Sequence, residues 1–323
     1  MRHERHTIDC EPENPGYTAA YLRAAGDECM FVEAYTTHAL PHLLDALQLH
    51  GRGPGDVRYV LVTHAHLDHA GGAGALLQAC PNATLLAHPR AARHLIDPEK
   101  LVKSATAVYG EERFRALYGR IDPIPAARVR VLEDGETFPL GDATLRVHHT
   151  TGHAKHHMVV DDPATGTVFT GDTFGLVYPR LQRAGRFAFP STSPTDFDPA
   201  AARASVAKVL ALGQPTVCPT HFGEVKDPRG VALQMDRWLD RAGRWLDEAA
   251  GGDRPVSELE RQLAEAWRTA LTDDAKALGL QLDAADWKLL DLDVELNAQG
   301  VAVAADKRRR DAAKAAAEGG AAG

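Results

Sequence analysis

At 323 residues, 44% of them hydrophobic, the chain is long enough for one large domain and a smaller one around a packed core. A net charge of −8 argues against a general nucleic-acid binder, and no stretch approaches the ~20 apolar residues that a membrane span requires. The polar start Met1-Arg2-His3-Glu4-Arg5-His6 lacks an export signal, and Cys10, Cys29, Cys80 and Cys218 are scattered with no Cys-x-x-Cys pair, so a cytoplasmic protein with reduced thiols is expected.

In chain order, Thr7 to Cys10 and Tyr17 to Ala24 read as strands, the second turning at Ala25-Gly26-Asp27-Glu28 into Cys29 to Ala34. Leu40, Leu43, Leu44 and Leu47 fall at helical spacing, and Gly51-Arg52-Gly53-Pro54-Gly55 stops that helix. The apolar run from Val57 to Thr63 then delivers His64-Ala65-His66-Leu67-Asp68-His69. Its three imidazoles and one carboxylate lie within six residues and would repel or desolvate one another without a cation between them. Imidazole with carboxylate suits zinc, iron or manganese, whereas calcium takes oxygen ligands alone. Gly71-Gly72 allow a tight turn inside a helix expected from Ala70 to about Ala79.

Thr84 to Ala87 is a short buried strand, with a helix from Arg90 to Ile96. Residues 97–127 look like an inserted helical excursion that packs on the core or lends Tyr109 or Tyr118 to a pocket. Strands return at Val129–Leu132, Thr137–Leu140 and Thr144–His148, the last running into Thr151-Gly152-His153. Met158 to Asp161 and Thr167 to Thr170 form a hairpin whose second strand ends at Gly171-Asp172. After a helix from Pro199 to about Leu212, the strand Thr216 to Cys218 delivers Pro219-Thr220-His221. Four strand ends thus offer His or Asp ligands: His64, His66, Asp68, His69, His153, Asp172 and His221.

This motif set resembles the metallo-β-lactamase-fold hydrolase superfamily, in the branch typified by glyoxalase II and lactonases, over roughly residues 7–226. The resemblance implies an α/β fold, an αββα sandwich, here with a C-terminal helical appendage. It also implies one metal held by His64, His66 and His153, a second by Asp68, His69 and His221, and Asp172 bridging them. Two divalent ions, zinc foremost with iron or manganese acceptable, would lower the pKa of bound water towards ~7, and a metal-bridging hydroxide would attack an ester, lactone or thioester carbonyl. Asp68 would relay the proton. Iron-dependent oxygen chemistry, as in persulfide dioxygenases or di-iron redox proteins, and a phosphodiesterase or nuclease are the alternatives. His157 is expected in a hydrogen bond behind the ligands, and His148, His149 and His156 in packing or solvent.

Near Asp172, in the loop with Phe174, Tyr178, Arg180, Arg183, Arg186, Phe187 and Phe189, the arginines would hold an anionic small molecule, the aromatics would wall an apolar pocket and Tyr178 would donate to a carbonyl at the metals. No nucleic-acid or membrane partner is expected, and a homodimer is open. The domain reading is a metallo-β-lactamase-like domain at 1–228, a helical region at 229–305 and a tail at 306–323 that is a frayed helix end or, foremost, disordered. Helical stripes carry Trp238, Trp245 and Trp267, and a helix is expected around Ala284 to Leu292. Lys307-Arg308-Arg309-Arg310 opens the tail.

Overall fold

The computed structural model describes residues 3–11, 15–192, 194 and 196–320. Strands β1 (His3–Asp9), β2 (Ala19–Ala25) and β3 (Glu28–Val32) are followed by α1 (Leu40–Leu49), β4 (Val57–Leu61), α2 (Leu67–Ala70) and α3 (Ala73–Ala79). Next come β5 (Thr84–Ala87), α4 (Pro89–Ile96), α5 (Glu99–Tyr109), α6 (Glu111–Tyr118) and β6 (Val129–Val131). The second half has β7 (Thr137–Leu140), β8 (Ala143–His149), β9 (Met158–Asp162), β10 (Thr167–Gly171), α7 (Pro199–Ala211) and β11 (Thr216–Pro219). It closes with α8 (Pro228–Gly251), α9 (Val256–Ala277) and α10 (Ala284–Gly320).

The six-stranded sheet runs β1-β2-β3-β4-β5-β6, antiparallel over its first three strands and parallel from β3 onward. The five-stranded sheet runs β11-β10-β9-β8-β7, with only the β10–β11 pair parallel. β8 alternates buried and exposed, as a strand covered on one face must, whereas β10 is buried throughout because sheet and helices cover both its faces. Tyr21, Met30 and Leu61 meet Phe138, Val147 and Phe169 between the sheets. Leu43, Leu76 and Leu95 bring α1, α3 and α4 onto the outer face of the first sheet. Val206, Val231 and Met235 bring α7 and α8 onto Val159, Val168 and Val217 of the second. The result is the expected αββα sandwich.

Gly71 and Gly72 have ordinary helical dihedrals, so a tight turn does not explain them. A Cβ on Gly72 would stand 2.5 Å from the Ala34 carbonyl oxygen, and one on Gly71 2.5 Å from that of Leu67. The pair lets the ligand-bearing segment lie directly on the end of β3.

α8 and α9 pack through the Trp238 and Trp267 rings, stacked 4.9 Å apart, with α10 laid over both. Two expectations for this region change. The helix expected to end near Leu292 continues to Gly320, and residues 306–320 are therefore helical where a disordered tail was expected. Arg308 pairs with Asp247 at 2.6 Å, while the Arg309 guanidinium donates to the Ala249 carbonyl at the end of α8 and to the Arg254 carbonyl. The Ala249 carbonyl, in the last turn of α8 where carbonyls lack intrahelical partners, suits a cation. Residues 321–323 lie outside the described residues. Among the described residues no helix is long and apolar enough to cross a membrane.

Candidate metal centre

The seven predicted ligands converge at one edge of the sandwich, where β4, β10 and β11 end and the β8–β9 loop crosses. In a first group, His64 Nε2 lies 2.9 Å from His66 Nδ1, and His153 Nε2 lies 3.2 Å from the former and 3.1 Å from the latter. In a second, Asp68 Oδ2 is 3.4 Å from His221 Nε2 and 3.7 Å from His69 Nε2. Asp172 stands between them: its Oδ1 faces His69 Nε2 at 3.3 Å, and its Oδ2 faces His153 Nε2 at 3.5 Å.

The far nitrogen of each ring sets its tautomer. His153 Nδ1 donates to the Ser191 carbonyl at 3.1 Å, His221 Nδ1 to the Tyr17 carbonyl at 3.0 Å, and His69 Nδ1 to the Glu33 carboxylate at 3.2 Å. The Thr63 hydroxyl gives its own proton to Glu33, which leaves its oxygen to accept from His64 Nδ1 at 3.1 Å. Each of these four imidazoles therefore directs an Nε2 lone pair into the centre.

Lone pairs on His64 and His153 facing each other at 3.2 Å repel, and a cation between them removes the repulsion. His69 Nε2 and Asp172 Oδ1 are buried and lack a hydrogen-bond partner, although they are only 3.3 Å apart. Burial opposes a charge on His69, yet Asp172, Asp68 and Glu33 together raise its pKa well above the usual imidazole value. This pocket of carboxylates demands positive charge. In the first group burial, reinforced by neighbouring imidazoles, lowers His64 and His66 well below that value, which favours the neutral, ligating form. The donor set fits divalent cations.

Glu33, missed in the sequence, organises the centre from behind. Its buried carboxylate accepts from Thr63 N at 3.2 Å, the Thr63 hydroxyl at 2.5 Å, the Thr220 hydroxyl at 3.1 Å and His69 Nδ1 at 3.2 Å. It sits at φ +69°, a conformation uncommon outside glycine and worth its strain only where the position is fixed by many contacts. The only sequence signal is a charged residue closing the apolar run Cys29-Met30-Phe31-Val32. His157 takes the expected supporting place: its Nε2 accepts from Asp172 N at 3.2 Å, leaving Nδ1 to donate to the Thr150 or Thr173 hydroxyl. His156 accepts from Ala65 N at 3.4 Å, and His149 Nε2 donates to the Leu132 carbonyl at 2.9 Å.

The loop after Asp172 departs from expectation. Tyr178, expected to reach a carbonyl at the metals, is fully buried, and its hydroxyl donates to Asp293 Oδ2 at 3.0 Å. Phe174, Phe187 and Phe189 join the core beneath α8–α10 instead of walling a pocket. Arg180 and Arg183 pair with Asp283 and Asp286 at the start of α10 rather than facing the centre. Apolar packing and ion pairs strap this loop to the C-terminal helices. Asp293 does face the cavity at the centre, and burial pushes its carboxyl up to about 7.

Comparisons with known proteins show the family and the fold. The family model described as "Metallo-beta-lactamase superfamily" matches residues 14–221. The metallo-beta-lactamase fold-containing protein ST1585 of Sulfurisphaera tokodaii is 34% identical over 282 residues, covering 84% of this chain and 98% of that protein. The crystal structure of ST1585 superposes with a TM-score of 0.64 at 21% identity, over 93% of this chain and 99% of that one. A hydroxyacylglutathione hydrolase of Aeromonas hydrophila is 27% identical over 46% of this chain and 42% of its own length.

Proposed function

The chain belongs to the metallo-beta-lactamase superfamily, and on that premise we propose that it is a dinuclear metal-dependent hydrolase that cleaves an ester, lactone or thioester. The observation that carries this reading is Asp172, whose two carboxylate oxygens are divided between two complete ligand groups. In it, His64, His66 and His153 would hold one ion and Asp68, His69 and His221 the other, with Asp172 available to both. Divalent ions, zinc foremost, supply a hydroxide nucleophile at neutral pH and polarise the carbonyl.

The residues of the chain do the rest. Ser191 and Tyr17 carbonyls, Thr63 and Glu33 keep four imidazoles in the ligating tautomer. Asp68 is 39% exposed and lines the cavity, so its carboxylate is placed to accept a proton there and pass it to the leaving group. Burial works against the Asp68 anion, but His69 and His221 hold its carboxyl below the usual range, which keeps it ionised and accepting. The hydroxyacylglutathione hydrolase relative supports the thioester arm of the reading. The four cysteines are free and buried, which is compatible with the cytoplasm as its place.

Metal content of protein purified without added metal, with an absorption spectrum of the same sample, tests the proposal. Two zinc or manganese ions per chain, no visible band and turnover of an ester, lactone or thioester panel are expected. A single iron, or a coloured di-iron pair responding to oxygen, would overturn it.

A further inference from the structure

We propose that the cavity beside the metal centre is an acyl-chain pocket, and that the bond cleaved there joins a long apolar acyl group to an alcohol or thiol. This rests on the hydrolase reading and adds the substrate class to it.

The cavity has a volume of about 630 Å³ and is bounded at one end by His66, Asp68, His153, Asp172 and His221. Tyr17, Tyr35 and Leu176 of the sandwich continue the wall, and much of the rest comes from helices outside it. Leu289, Leu292, Leu296 and Val303 of α10 face Leu101 of α5 and Leu117 of α6. The four α10 residues follow one helical face, and each is only half-buried, as residues bordering a space rather than a packed neighbour should be. Between Leu289 and Val303 the stripe is about 21 Å long at 1.5 Å per residue. That length matches an extended chain better than a compact head group.

The charges support the same occupant. Away from the centre the wall carries Glu260 and Lys288, one of each sign, and no cluster of guanidinium groups among the described residues. A phosphate or nucleotide is held by convergent arginines, whereas in the loop after Asp172 Arg180 and Arg183 pair with Asp283 and Asp286, and Arg186 donates to Gln182. An acyl chain needs only apolar walls and a carbonyl at the metals. Water adds its oxygen to the acyl carbon, the C–O or C–S bond breaks, and the alcohol or thiol leaves with the proton, so no further reactant is required.

The test uses the full chain loaded with zinc and p-nitrophenyl esters from acetate to laurate, together with calorimetric titration of the metal-free protein with acetate and decanoate. The expected result is a kcat/KM that rises by up to about fourfold per added methylene, equivalent to ~0.8 kcal/mol, until the pocket fills. Decanoate should bind the metal-free protein where acetate does not. Leu296→Trp should move the optimum to shorter chains, an effect that loss of folded protein does not mimic. A flat series with no decanoate binding overturns the pocket while leaving the hydrolase intact. Decanoate binding without turnover of any ester or thioester overturns the hydrolase reading and leaves an apolar pocket.

Discussion

Replacing Glu33 by Gln removes the charge that four hydrogen bonds converge on, with almost no change in shape. The amide has one oxygen for the donors of Thr63 N, the Thr63 and Thr220 hydroxyls and His69 Nδ1, and its NH2 must face at least one of them. At 1% exposure no water takes over. A buried donor left unpaired costs about 1–3 kcal/mol, so losing one or two puts the destabilisation of the folded chain at roughly 3 kcal/mol. His69 Nδ1 also exchanges a charged acceptor for a neutral amide oxygen, and a weakened partner of this kind lowers metal affinity, by up to about 10–100-fold where it is lost outright. The weakening should fall on the ion held by Asp68, His69 and His221. The other group is reached only indirectly, through Thr63 and His64. Competition between the protein and a zinc chelator, read as two stepwise affinities, measures this. If the variant binds both ions as the wild type does, Glu33 does not organise the centre.

His66→Ala and Asp172→Ala should each abolish turnover in a chain that still unfolds cooperatively, with Asp172→Ala losing both ions and His66→Ala chiefly one; circular dichroism and metal analysis check this. For Asp293, the buried carboxyl keeps its proton to about pH 7, whereas an unfolded Asp releases it near ~3.9. Between those values the folded state binds more protons, so its contribution to stability falls as pH rises. In metal-free protein Asp293→Asn should therefore gain stability relative to wild type between pH 5 and pH 8, by at most about 3 kcal/mol, in urea melts at both pH values. Arg180→Ala and Arg183→Ala should each cost little stability, since both guanidiniums are screened by solvent. The double variant should cost more than the sum, because both guanidiniums pair with the buried Asp286 carboxylate. An increase in KM from either single variant, without loss of stability, would return these arginines to the substrate.

The metal-ligand candidates are legible in the sequence because chemistry and position coincide. Each stands just past a buried strand or in the loop after one, and the strands are short apolar runs that announce themselves, so His64 to His69, His153, Asp172 and His221 could be read off separately and then found together. Glu33 has no such advantage. A single carboxylate after Val32 has no spacing to mark it, and its partners Thr63, His69 and Thr220 come from distant parts of the chain. Proximity in sequence also misled. Tyr178 and the arginines follow Asp172 closely, but their partners Asp293, Asp283 and Asp286 lie about a hundred residues further on, where no local pattern points back.

The same limit applies to α10. Leu290, Val294, Ala298 and Val301 are buried in the core formed with α8 and α9, while Leu289, Leu292, Leu296 and Val303 border the cavity. A helix apolar on more than one face shows little contrast between its sides, and its second half, rich in Ala, Lys and Arg, resembles a solvated end. Periodicity alone therefore marks a short helix around Ala284 to Leu292 and stops. Only the packed chain separates the two stripes: one is paired with helices, and the other faces a space that ends at five of the seven convergent ligand side chains. An apolar face kept open beside a charged centre is costly to leave to water, and its position makes the C-terminal helix part of the site rather than a cover for the sandwich.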